Sequence, residues 1–203
     1  MKMPHRTFRY LAILLAAALL AGCASTKVER IDPDSTTDLS GHWNDTDSRL
    51  VSEEMIADML ARPWIEQHRL DEGNRPAVIV GDIDNLTHEH INTRTFINDI
   101  ERALINSGRV DFVANRVERE AVREERADQD VHAREPTRNE MGRELGADYM
   151  LSGNINAIVD AEGDRQVVYY QVDLELISMA DNRKVWIGQK EIKKDISRGS
   201  FRP

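Results

Sequence analysis

The stretch RQVVYYQVDLELI, residues 165–177, decides the fold of this chain, because apolar and polar side chains alternate along it. One face carries apolar side chains, those of Val168, Tyr170, Val172, Leu174 and Leu176. The other face carries mostly polar ones, those of Tyr169, Gln171, Asp173 and Glu175. A period of two with one apolar side is typical of a strand that packs one face on a core and turns the other to water.

Two further β-type runs flank this stretch, at 149–159 and from 184 to about 192. The segments 161–164 and 180–183 separate the three runs, and both are short enough to be hairpin loops. The last third of the chain is therefore predicted to be an antiparallel β-meander with one wet face.

In the preceding part, helical and strand patterns alternate. Short apolar strands are predicted at 77–81 (AVIVG) and 110–114 (VDFVA). Helices are predicted at about 46–60, 93–107, 116–130 and, with Met141 and Leu145 inward, from Pro136 to Gly146. This order predicts a single α/β domain with a mixed sheet of about five strands, a C-terminal antiparallel meander and helices mainly on one face.

The N-terminus carries an export signal. Basic residues precede an apolar run, 11–21, which is far shorter than the roughly 20 apolar residues that span a bilayer. The run closes on Leu20-Ala21-Gly22-Cys23, the lipobox pattern of bacterial lipoproteins. Residues 1–22 are therefore predicted to be a lipoprotein signal peptide, and Cys23, the only cysteine, the acylated N-terminus of the mature protein.

Residues 23–45 are polar and lack periodicity, which predicts a lipidated flexible tether ahead of a globular domain at 46–203. Fully stretched, the tether spans at most about 75–80 Å, and as a relaxed coil about 25–30 Å. Loss of the signal peptide takes the net charge from −9 to about −12. That charge argues against nucleic acid as a partner and against a basic lipid-binding patch.

The sequence contains no nucleophile elbow, phosphate-binding glycine loop or zinc-protease motif, and no cofactor is predicted. The strongest catalytic or metal candidate is the loop after the first strand, with Asp82, Asp84, His88 and His90. These four lack a recognised ligand spacing, so a solvated loop is the alternative.

The wet face of the meander is the most plausible docking surface. Its candidate partner-binding residues are Asn154, Asn156, Tyr169 and Gln171. The alternative is a sheet that simply faces solvent.

Several stretches resemble the LpoB-type penicillin-binding-protein activators. Besides the lipobox, they are LSGHWNDTDSR (39–49), PAVIVGDIDN (76–85), ALINSGRVDFVA (103–114), YYQVDLELI (169–177) and VWIGQKEIKK (185–194). The resemblance covers essentially the whole mature chain, and its motifs occur in the same order.

The resemblance implies an outer-membrane lipoprotein on the periplasmic side, a sorting that Ala24 after the cysteine fits. It implies a body similar to the N-terminal α/β domain of TolB. It also implies a regulator, not an enzyme, that binds a periplasmic domain of a bifunctional class A penicillin-binding protein and stimulates glycan polymerisation and crosslinking. The family's partner-contacting residues have no motif that transfers position by position.

The tether is the one departure from this family. Enterobacterial members use a long disordered tether, whereas the tether predicted here, residues 23–45, is short. The alternative function is a structural or export lipoprotein of the curli-secretion type, which shares a similar body and assembles into rings. The size of the detergent-extracted protein distinguishes the two hypotheses, since the activator is expected to be a monomer and the export lipoprotein a large ring.

Overall fold

The computed structural model describes residues 27–33, 35–139, 142 and 144–197. The predicted signal peptide and Cys23 lie outside the described residues. In the part of the chain that is described, no helix has both the length and the apolar character needed to cross a bilayer.

The body of the molecule begins at Thr36. It contains four α-helices among the described residues: α1 (Asp45–Ala61), α2 (Trp64–Glu72), α3 (Thr93–Ser107) and α4 (Arg116–His132). Asn44 caps α1 by accepting a hydrogen bond from the Asp47 amide. The helix α2 ends at Gly73, where φ of +75° suits a residue without a Cβ.

The sheet has five strands: β1 (Ala77–Asn85), β2 (Asp111–Phe112), β3 (Tyr149–Glu162), β4 (Arg165–Ser178) and β5 (Lys184–Ser197). Their order is β2-β1-β3-β4-β5. Strand β1 is parallel to β2 and to the central strand β3, whereas β3, β4 and β5 form the antiparallel meander. The predicted α/β class, the mixed sheet and the C-terminal meander are confirmed.

Strand β1 is longer than the sequence predicts, because a β-bulge carries it past Gly81. The register shifts between Val80 and Ile83, so that Gly81 and Asp82 both lie opposite Ser152 of β3. The extra residue returns Ile83 to the buried face. The loop was predicted to start at Asp82, but it starts after Asn85, the last residue of β1.

The core lies between one face of the sheet and the helices, as predicted. Helix α1 packs against α3 and β5, and α3 packs against β1. The fully buried side chains include Phe96, Ile56, Met59, Leu174 and Tyr170. The indole N–H of Trp186 in β5 donates to Asp58 of α1 over 2.9 Å, which joins the meander to the first helix.

The short helix predicted from Pro136 to Gly146 is wrong within the described residues. They contain only a 3₁₀ turn, Glu135–Thr137. Gly142 has φ of +78°, outside the helical region, and Leu145 is 59% exposed rather than turned inward. Met141 lies outside the described residues.

Candidate docking surface

The four predicted partner-binding residues lie together on the sheet face that the helices leave uncovered. Asn156 of β3 lies directly opposite Gln171 of β4, Asn154 lies opposite Asp173, and Tyr169 pairs with Ile158. All five polar side chains are half-buried. We call this surface, Asn154, Asn156, Tyr169, Gln171 and Asp173, the open face.

Hydrogen bonds hold the amides of the open face in fixed orientations. The Asn156 amide donates to Asn154 Oδ1 over 2.5 Å and more weakly to Asp173 Oδ2 over 3.4 Å. The Gln171 amide donates to both oxygens of Asp173, over 3.1 and 2.8 Å. Asp173 is thus the acceptor at the centre of the network. Preordered side chains lose less conformational entropy when a partner binds.

Asp173 was not among the predicted site residues. It could have been found, since it continues the alternation of Tyr169 and Gln171 along β4. In the alternating pattern Asp173 is only one more polar side chain, so the sequence does not show that it is the shared acceptor.

Tyr169 closes one end of the open face as a hydrogen-bond donor. A hydrogen bond to Glu191 of β5, burial and the negative charges of Glu191 and Asp173 raise the pKa of the Tyr169 phenol above its ordinary value. The phenol therefore keeps its proton at any physiological pH. Its hydroxyl also lies 3.4 Å from Gln171 Oε1.

A groove of about 410 Å³ continues the open face towards β1. The β-bulge gives this groove its acidic wall, because Asp82 and Asp84 are both exposed on either side of the buried Ile83. Asp173 and Glu175 line the opposite side, and Lys184 forms an ion pair with Glu175. The groove carries an excess of negative charge, which favours a partner surface with basic side chains.

The family model of the peptidoglycan-synthase activator LpoB matches residues 47–192, which span the body from α1 into β5. The chain belongs to the LpoB family. The family predicted from the sequence is confirmed, and it is a family of activators rather than enzymes. No curated protein sequence matches this chain.

Solved structures similar to this chain include two members of the LpoB family. The LpoB C-terminal domain from Salmonella enterica is 16% identical, with a TM-score of 0.41, and the match covers 73% of this chain and 99% of that one. The NMR structure of Escherichia coli LpoB is 15% identical, with a TM-score of 0.40, covering 87% and 86%. Lipoprotein GNA1162 from Neisseria meningitidis is 16% identical, with a TM-score of 0.36, covering 62% and 88%.

The four metal candidates are divided between two elements. Asp82 and Asp84 lie in β1, whereas His88 and His90 lie in the loop before α3. Across the described residues, no three His, Cys, Asp or Glu side chains come together as a possible metal site. The structure therefore does not assemble the candidate loop into a metal centre.

Glu89, in the same loop, has a structural role that the sequence did not indicate. Its carboxylate accepts hydrogen bonds from the Tyr170 hydroxyl over 2.5 Å and from the Trp43 amide over 3.1 Å. His42 Nδ1 lies 2.9 Å from the same carboxylate. Burial alone would raise the pKa of Glu89, but the hydrogen bonds from Tyr170, His42 and Trp43 hold it below its ordinary value. Glu89 thus ties the segment before α1, through Trp43, to strand β4, through Tyr170.

Proposed function

We propose that this protein is an outer-membrane lipoprotein, acylated at Cys23, that binds and activates a bifunctional class A penicillin-binding protein from the periplasmic side. It acts as a monomer and performs no chemistry of its own. The observation that carries the proposal is the membership of residues 47–192 in the LpoB family of peptidoglycan-synthase activators. The lipobox at Cys23 supports the anchoring part of the proposal.

We propose that the synthase docks on the open face. No helix covers it among the described residues, its amides are preordered around Asp173, and Tyr169 remains a donor. A surface of this kind offers hydrogen bonds at little entropic cost, and the adjoining acidic groove favours basic side chains on the synthase.

Activation requires that the docked protein bind the active conformation of the synthase more tightly than the resting one. A tenfold preference corresponds to about 1.4 kcal/mol, which a modest interface can supply. The body therefore needs no catalytic group to stimulate glycan synthesis.

The direct test measures glycan-chain synthesis by the cognate synthase with and without the soluble body, residues 36–203. Stimulation is expected, together with saturable binding. No change in rate and no binding would refute the proposal. Sizing of the lipidated protein in detergent should give a monomer, and a large ring would instead support the export reading.

A matched pair of substitutions tests the docking surface. Gln171→Arg places a bulky charge on the open face, whereas Asn106→Arg makes a comparable change on the exposed side of α3, across the molecule. We expect Gln171→Arg to abolish stimulation and Asn106→Arg to leave it unchanged, with unfolding curves confirming that both variants fold. Equal activity of the two variants would remove the open face from the proposal.

Anchoring is tested in cells with Cys23→Ser. The substitution should release the protein from the membrane fraction, since the acylated thiol is the proposed source of membrane affinity. Retention of both membrane association and cellular role would refute acylation at Cys23.

A further inference from the structure

Strand β3 extends past the end of β1 and leaves one side of its backbone uncovered there. The last register pair of these two strands is Asn85 with Ile155, whereas β3 continues to Glu162. Strand β4 pairs with β3 over its whole length, so only the side that faced β1 is open. We call this part of β3, residues 157–162, the free edge.

The backbone groups of the free edge point outward and have no partner. The Leu86 amide donates to the Ile155 carbonyl over 2.9 Å, so the backbone of Ile155 faces the β1 side. Alternate residues of a strand turn their N–H and C=O groups to the same side. Ala157, Val159 and Ala161 therefore face that side too, and no hydrogen bond from the part of the chain that is described reaches their outward groups.

Both faces of the free edge carry an exposed apolar side chain. Ile158 is 66% exposed on the side of the open face, where it pairs with Tyr169. Val159 is 46% exposed on the opposite side, because consecutive side chains of a strand alternate. A strand laid along this edge would bury apolar surface on both faces while it pairs the backbone groups.

The other two edges of the sheet are protected in ways that natural sheets use against pairing with another chain. Strand β2, Asp111–Phe112, is only two residues long. Strand β5 has a register shift near its start and carries four lysines, Lys184, Lys190, Lys193 and Lys194. In contrast, residues 157–162 contain neither lysine nor proline, and their register with β4 is unbroken.

Carboxylates decide which kind of strand fits the free edge. Asp160 and Glu162 are exposed, and residues 156–164 include no basic side chain. The nearby Arg165 is already engaged, since it donates two hydrogen bonds to Asp195 of β5 over 3.1 and 2.7 Å. A second copy of this acidic chain would bring the same carboxylates to the junction, where they repel. A strand with Lys or Arg beside its apolar residues is attracted instead.

We infer that the free edge accepts an extended, basic segment of a protein partner as a sixth strand of the sheet. The assignment of that partner as the synthase rests on the proposed function. The added backbone would pair with Val159 and Ala161, and its Lys or Arg side chains would meet Asp160. Because Ile158 lies beside Tyr169, the added strand would continue the open face.

Hydrogen exchange of single amides tests strand addition directly. When the mature chain binds the periplasmic part of the synthase, the outward amides of Val159 and Ala161 should exchange at least about tenfold more slowly. Lys193 of β5 is the control. It pairs with Tyr169, whose backbone groups face β3, so the Lys193 amide points outward at the opposite edge and should be unaffected.

Two substitutions at one position separate the backbone from the side chain. Val159→Pro removes an outward N–H, which an edge strand tolerates, whereas Val159→Thr keeps the N–H and the branched shape. We expect Val159→Pro to weaken binding at least about tenfold and Val159→Thr by less than about threefold. Urea unfolding checks that both variants fold.

A lysine repeats the test without a change of backbone. Val159→Lys introduces the edge protection found in β5 and repels a basic strand, so it should also weaken binding at least about tenfold. Val131→Lys makes the same exchange on α4, where the valine is 74% exposed, and should change the affinity by less than about twofold.

Loss of charge tests the chemistry of the added strand. Asp160→Asn/Glu162→Gln should weaken binding and reduce its salt dependence, since it removes the carboxylates that attract Lys or Arg. Glu120→Gln/Glu124→Gln, an equal loss of charge on the exposed side of α4, should do neither.

Binding by the unaltered chain tests the proposed function, and the exchange rates and variants test the free edge. Binding without slower exchange at Val159 and Ala161, or with unchanged affinity of Val159→Lys, would overturn strand addition and leave the proposed function standing. A dimer of the chain that protects the same amides would overturn the basic partner in favour of a second copy. Failure of the unaltered chain to bind would overturn both proposals.

Discussion

Helices α1 and α4 are both 17 residues long, and both begin with a capping box built on an asparagine. In α1, Asn44 and Asp47 exchange side-chain and backbone hydrogen bonds, and in α4 Asn115 and Glu118 do the same. Yet α1 buries a full apolar side, whereas α4 buries no side chain at all. Equal local signals for starting a helix therefore do not predict how much the helix contributes to the core.

The two helices should differ most when an apolar side chain is shortened. Met59 of α1 is fully buried, so Met59→Ala should lower the free energy of unfolding by about 3–4 kcal/mol, through lost burial and a cavity. Val131→Ala in α4 should change it by less than about 0.5 kcal/mol. Urea unfolding of both variants measures the difference, and similar losses would mean that α4 is packed against the core.

Loss of an ion pair should give the next largest difference in stability between the two helices. Lys194 of β5 is only 11% exposed and lies 2.6 Å from Asp47 of α1 and 2.8 Å from Asp38. Lys194→Met should cost about 2 kcal/mol, because it leaves a buried carboxylate without its charged partner.

The matched change in α4 is Arg123→Met, which breaks an exposed pair with Glu144. It should leave the midpoint of urea unfolding where it is, since solvent already screens that pair. A loss as large as that of Lys194→Met would contradict the comparison.

Removal of the caps should separate global from local stability. Asn44→Ala should lower the free energy of unfolding by about 1 kcal/mol, because α1 unfolds only with the core. Asn115→Ala should leave global unfolding unchanged and speed hydrogen exchange at the first amides of α4, since that helix can open by itself. Exchange measured by mass spectrometry, beside urea curves, distinguishes the two, and a global loss in both variants would show that α4 is coupled to the core.

The smallest expected effect is a gain in stability, from the substitution of Glu101. Burial and the nearby Glu118 of α4 raise the pKa of the Glu101 carboxyl above its ordinary value. A raised carboxyl pKa contributes stability below the unfolded pKa and loses it as the pH rises through the folded pKa. Glu101→Gln should therefore raise the urea midpoint slightly at pH 7 and not at pH 3.5, whereas Glu124→Gln should change it at neither pH.

The three strands of the meander could be predicted in their order and in their apolar side, because β4 has a strict period of two and hairpin loops on both sides. Strands β3 and β5 run on to Glu162 and Ser197, three and about five residues beyond their predicted ends. The open face followed from the same alternation, since consecutive side chains of a strand point to opposite faces. β1 was harder to predict. Its continuation past Gly81 depends on a bulge opposite Ser152, and a bulge is a relation between two strands that neither sequence shows alone.

Two other features were also outside the reach of sequence patterns. Glu89 lies in a polar loop, and in the sequence it resembles its solvated neighbours. Its role as a hydrogen-bond acceptor follows only from the position of the Tyr170 hydroxyl in the folded protein. The charged run that became α4 was correctly predicted to be a surface helix. The side that faces outward was not predictable, because it depends on where the segment carrying Glu144 returns.

The sequence by itself determined most of the strands and helices, which side of the meander is apolar and to which family the chain is similar, because these depend on the order and spacing of side chains along one element. It failed for the segment 136–146, which was predicted to be a helix. The tertiary structure alone decided the bulge that exposes Asp82 and Asp84, the hydrogen-bond network centred on Asp173 and the outward direction of the α4 valines. Each of these depends on contacts between residues far apart in the chain, and such contacts form only when the elements pack.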